Sequence, residues 1–183
     1  MLFRSVFNPE SMAKLSYNRI TRNYAPSVGS GVFIDDGATA FLDHELIYAN
    51  ECNSMGGVGI YVDGPGNGLP GSTASIRHTT VTDHTCETSQ GGNALYVEQN
   101  STVSIQNSIL WDNGGDDVIV DGTSQVNITY TLSEEVIEGM GNLSVDPLFA
   151  DAANGDFHLR STVGRWDAAN SIWVQDSGQS PAI

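Results

Sequence analysis

Asp116-Asp117 places two adjacent carboxyls between Gly114-Gly115 and the apolar run Val118-Ile119-Val120. Carboxyls on a rigid element can take up and release protons. A second carboxylate set recurs: Asp35, Asp63, Glu98 and Asp121 each close a short apolar run. If those runs stack, like charges repeat every ~4.8 Å and repel unless solvent screens them or a cation binds. Calcium is the candidate cation, because it takes oxygen ligands. Acidic residues ending solvated strands are the plainer reading. Arg77 and His84 could together supply an acid and a base. His44 and His78 could bind zinc, but no third ligand is spaced to complete the set. A polar hydrogen-bonded ladder is the other reading of His44, His78 and Asp83-His84.

These side chains need a scaffold, and the repeats describe one. Small-residue pairs precede apolar runs at Gly29-Ser30-Gly31, Gly56-Gly57, Gly91-Gly92 and Gly114-Gly115. The runs are Val32-Phe33-Ile34, Ile60-Tyr61-Val62, Leu95-Tyr96-Val97 and Val118-Ile119-Val120. Each reads as a turn feeding a short strand. A second strand of period two follows each one: Ala40-x-Leu42, Ala74-x-Ile76, Val103-x-Ile105 and Val126-x-Ile128. One coil cannot bury its inward residues alone, whereas stacked coils align like residues into one core. A β-sandwich would not require homologous residues at the same point of successive repeats. The expected fold is therefore an all-β parallel β-helix of about four to five coils. Asn8-Pro9-Glu10-Ser11 opens either a short N-terminal capping helix or a broken first coil. The expected organisation is a leader or cap over 1–14, coils over 15–145 and a tail or last coil over 146–183.

Stacking also gives the cysteines and aromatics positions. Cys52 and Cys86 lie 34 residues apart, the same offset as Ala40 to Ala74. They should sit one above the other on adjacent coils, within disulfide reach. A bridge and a reduced, buried pair both fit that placement. Trp111 and Tyr48 are candidates to stack on sugar rings, while Tyr61 and Tyr96 lie in apolar runs and read as core.

The coil motif resembles the right-handed parallel β-helix repeat proteins of the pectate-lyase-like superfamily. The tail adds to the likeness through Val145-Asp146-Pro147-Leu148-Phe149 and Asn154-Gly155-Asp156-Phe157-His158-Leu159. Gly115-Asp116-Asp117-Val118 resembles the Asp-Asp signature of polygalacturonase-type glycoside hydrolases. There one carboxyl protonates the leaving sugar and another activates water. The likeness to pectate lyases implies that calcium would bridge acidic sugars and that an Arg, here Arg77, would take the proton. The chain departs from both patterns, with Gly92-Asn93-Ala94 where an earlier Asp would stand and no Gly-His-Gly or Arg-x-Lys. Family tails usually run on past this point, so a C-terminal fragment of a larger bacterial protein, from a truncated or metagenomic gene, is expected.

Composition narrows the partners. Seven basic residues against 22 acidic ones give a formal charge of -15, which disfavours nucleic acid and anionic lipid. No window is apolar enough to span a membrane, and the N-terminus reads poorly as a secretory signal. The expectation is an extracellular or cell-surface protein that meets a polysaccharide or oligosaccharide. It would act as a glycoside hydrolase or polysaccharide lyase, or bind without catalysis. No cofactor is required on this reading, calcium is a candidate ligand, and exposed coil ends could pair copies into a homo-oligomer.

Overall fold

The computed structural model describes residues 8–53, 58–87 and 93–183. Gly56-Gly57 and Gly91-Gly92, two of the small-residue pairs, lie outside them. Among the described residues there is no α-helix. The chain divides into two units, residues 1–144 and 145–183.

In the first unit, four faces recur in order along each coil, and all their strands pair in parallel. The first face stacks Met12–Ser16, Thr39–Asp43, Thr73–Arg77, Thr102–Gln106 and Gln125–Thr129. The second stacks Arg19–Thr21, Leu46–Tyr48, Thr80–Thr82, Ile109–Trp111 and Leu132–Ser133. A short third face holds Tyr24–Ala25, Glu51–Cys52 and Thr85–Cys86, and a fourth holds Val32–Ile34, Ile60–Val62, Leu95–Val97 and Val118–Val120. Among the described residues the fourth coil has no third-face strand, and between Trp111 and Val118 only Gly114 makes a β-bridge.

Register explains the core. Ala13, Ala40, Ala74, Val103 and Val126 stack, as do Leu15, Leu42, Ile76, Ile105 and Ile128. With Ile20, Ile47, Val81 and Leu110 they form one continuous apolar interior. Each fully buried branched side chain contributes about 1.5–3 kcal/mol. The choice between capping helix and broken coil falls to the coil. Met12–Ser16 is a strand in register with Thr39–Asp43, because Ala13 and Leu15 continue the period-two pattern inward. Among the described residues the first coil strand is therefore Met12–Ser16, ahead of residue 15.

The corners are closed by stacked polar side chains that accept backbone N–H groups from the preceding coil. At the corner entering the first face, Gly37 N–H donates to Ser72 Oγ, Ser72 N–H to Ser101 Oγ and Ser101 N–H to Ser124 Oγ, at 3.1–3.2 Å. Between the first and second faces, Glu45 N–H donates to Thr79 Oγ1 and Thr79 N–H to Ser108 Oγ, at 3.3 and 3.2 Å. Such bonds satisfy amides that burial would otherwise orphan. Glycine is required where coils approach closely: a Cβ on Gly31 would lie 2.2 Å from the Gly59 carbonyl oxygen.

The second unit is built differently. Phe149–Asp151 pairs antiparallel with Asp156–Leu159 across a turn closed by Gly155 at φ 76°. Arg165–Asp167 pairs antiparallel with Ile172–Val174. The Arg165 guanidinium grips Asp176 with two hydrogen bonds, at 2.9 and 3.2 Å.

Candidate functional site

Asp116 and Asp117 do not form an acid/base pair. Consecutive residues of an extended chain point to opposite sides: Asp116 is exposed, whereas Asp117 is 0% exposed. Asp117 directly precedes a fourth-face strand, where earlier coils carry Gly31, Gly59 and Ala94. Those coils have room only for a hydrogen or methyl. The shortened fourth coil leaves space for a carboxyl. Asp117 Oδ1 accepts from Asn113 Nδ2 at 2.8 Å, and Oδ2 accepts from Glu134 N–H at 2.8 Å. Its own N–H donates to both Glu135 carboxylate oxygens at 3.1 Å. Burial pushes the Asp117 carboxyl up to about 7, opposed by the Asn113 and Glu134 bonds and reinforced by the Glu135 carboxylate.

His84 is also interior, at 1% exposure. It is the third member of a ladder at the corner between the second and third faces. Asn23 N–H donates to Asn50 Oδ1 and Asn50 N–H to His84 Nδ1, both at 3.0 Å. The imidazole thus replaces an asparagine amide, with Nδ1 as acceptor and Nε2 turned inward without a well-formed bond. Burial drives its pKa down to about 3, against the raising effect of backbone groups at Asn50 and Ile47. Arg77 is exposed at the outward end of a first-face strand. A buried, neutral imidazole and an outward guanidinium do not form the acid/base pair that sequence suggested.

The carboxylate column forms in register, since Asp63, Glu98 and Asp121 donate their amides to the Ile34, Val62 and Val97 carbonyls below. Its members are all half-buried, and local donors occupy most of their oxygens. Asp35 accepts from Asp36 N–H at 2.6 Å and Asp63 from Gly64 N–H at 2.7 Å. The Tyr61 hydroxyl donates to Glu98. Burial raises Asp35 and pushes Asp63 up to about 6, which opposes the charged form calcium requires. Burial would raise Asp121 too, but hydrogen bonds from Gln99, Thr123 and Ser124 hold it below the usual range. The column shows no convergence of oxygens on a point. Among the described residues, the cluster whose ligand atoms lie within 4.8 Å of one another is Asp43, His44 and His78.

Tyr48 and Trp111 share one outward column of the second face, with Thr82 between them. Trp111 is half-buried, but Tyr48 is 8% exposed, lies under the Arg19 guanidinium and accepts a 2.6 Å bond from it. Tyr48 therefore offers no free ring to a sugar. Cys52 and Cys86 are joined as a disulfide between adjacent coils, which decides between bridge and reduced pair.

The outward side of the first face is the contrasting surface. It is a five-stranded parallel sheet bearing Thr39, Thr73, Thr102, Ser75, Ser104 and Asn127. Its charged residues are Lys14 and Arg77 against Asp43, a formal +1 (two minus one) on a chain of -15. The polar members of the period-two strands are the signal in the sequence for this surface.

A parallel β-helix with aligned apolar columns and polar corner ladders is the class these features define. Residues 6–140 match the family described as "Right handed beta helix region". The chain belongs to the right-handed β-helix family. Neither the curated proteins nor the solved structures yield a match.

Proposed function

We propose that this chain is a non-catalytic carbohydrate-binding β-helix module whose first face lies against a polysaccharide. One observation carries the reading: a flat, hydroxyl- and amide-rich sheet close to neutral on an otherwise strongly acidic molecule. Sugars present dense hydroxyls that such side chains can pair with. The +1 balance removes the repulsion that the rest of the surface would impose on a uronate chain. Phe41, 40% exposed with Lys14 over its ring, adds an apolar contact within the same sheet.

Affinity electrophoresis and calorimetry on a panel of neutral and acidic polysaccharides, with and without calcium, test this. A Ser75→Glu/Ser104→Glu double variant should lose at least about tenfold in affinity, from repulsion and lost pairing. Glu substituted at Ser144, away from that face, should have no such effect. Binding that is indifferent to the first-face charges would sink the proposal.

A second reading, glycoside hydrolysis or lyase cleavage, draws on the Asp117–Glu135 contact. A carboxyl raised to about 7 beside a half-exposed carboxylate is a pairing that acid/base catalysis uses. Reducing-sugar release or unsaturated-product absorbance abolished by Glu135→Gln would replace the binding reading with this one.

A further inference from the structure

We propose that Asp43, His44 and His78 bind one divalent transition-metal ion of the zinc class, at the corner where the first face turns into the second. This inference is independent of the carbohydrate reading. Both imidazoles turn Nδ1 toward the same carboxylate oxygen: Asp43 Oδ1 lies 3.1 Å from His44 Nδ1 and 2.9 Å from His78 Nδ1. The three ligand atoms lie within 4.8 Å of one another. A shared ion at ~2.0–2.2 Å from each is reached by small side-chain rotations.

The backbone is already set for this. His44 and His78 occupy the same left-handed corner position of successive coils, at φ 57° and 48°. Their amides are tied to the Arg77 and Gln106 carbonyls at 3.1 and 3.2 Å. Their rings stack at 4.6 Å, and Tyr17 stacks on His44 at 4.8 Å. The Asn107 amide lies 3.3 Å from His78 Nε2, so the second ring nitrogen has an orienting neighbour. Three protein ligands on a partly exposed corner leave a fourth position for water, the arrangement of open zinc sites.

Charge and ligand type select the ion. Arg77, in register beside Asp43, opposes a cation, while the net charge of -15 favours one. Two imidazoles and one carboxylate suit zinc, cobalt, nickel or copper, whereas calcium takes oxygen ligands.

Zinc titration of the tag-free chain by calorimetry, with cobalt absorption as a coordination readout, tests the site. His44→Asn and His78→Asn are the variants of choice, because Asn107 naturally holds this corner in the next coil at φ 52°. One equivalent of zinc should bind, each variant should weaken it by at least about tenfold, and the cobalt bands should fade. His158→Asn should leave binding unchanged, and excess calcium should not displace zinc. Absence of zinc binding, binding that survives the His44→Asn/His78→Asn double variant, loss through His158→Asn, or displacement by calcium would each overturn the proposal.

Discussion

Two histidine-bearing columns run through the same coils and end in opposite chemistries. Within the β-helix, His84 continues the Asn23–Asn50 ladder, accepts a backbone N–H and is held neutral by burial. Outside it, His44 and His78 stack in the open and face a carboxylate. The imidazole is the same, but the side of the sheet on which it falls differs. Inside, the ring serves as a substitute amide, and the fold needs it. Outside, it makes no demand on the fold and is available for a ligand. The lesson is that a histidine in a repeat is interpreted by its column, not by its neighbours in sequence.

Coil-to-coil ties on the inner side should dominate stability. Reducing Cys52–Cys86, two residues beyond the Asn50–His84 rung, should cost roughly 3–4 kcal/mol, the loop-entropy value for a 34-residue separation. Urea unfolding with and without reductant measures it, and an unchanged midpoint would mean the ladder and core alone hold these coils. His84→Leu should follow, at about 2–3 kcal/mol, because it orphans the Asn50 amide. His84→Asn, which restores the ladder chemistry, should cost less than half as much. Equal losses would erase the distinction between rung and filler.

The inner column also predicts a pH effect. His84 has a folded pKa of about 3 against an ordinary 6.5, so the unfolded chain takes its proton first. Its stabilising contribution is complete above pH 6.5 and is lost as pH falls toward 3. Asp117 runs the other way: raised to about 7, it favours the fold at low pH and loses that contribution as pH rises from about 4 through 7. The stability advantage of wild type over His84→Asn should therefore shrink as pH drops below 6.5. A gap independent of pH would contradict the buried, neutral assignment. The smallest effects belong outside, where His44→Asn or His78→Asn should move metal-free stability by less than about 0.5 kcal/mol. A larger loss would show that the outer stack is part of the scaffold after all.

Much of the scaffold was legible from residue alternation. The columns headed by Ala40 and Leu42 were read at their structural register, and the spacing of Cys52 and Cys86 correctly put them on adjacent coils. The strand at Met12 was less legible, because Asn8-Pro9-Glu10-Ser11 imitates a helix start and Ala13-x-Leu15 is too short to outweigh it. The candidate sites fared worse. Nothing in Gly-Gly-Asp-Asp tells which carboxyl turns inward; that depends on a missing third-face strand that makes room for Asp117. Asp43 stands beside His44 and His78 because the alternation that buries Ala40 and Leu42 turns it outward, a consequence that spacing along the chain does not display.

Local sequence determined the repeating strands, the inward apolar columns and the acidic charge, because each depends on residue type and a period of two. Tertiary structure alone decided which polar groups became rungs and which became surface. Those outcomes depend on what the next coil places within about 5 Å, a distance set by strand stacking rather than by separation along the chain.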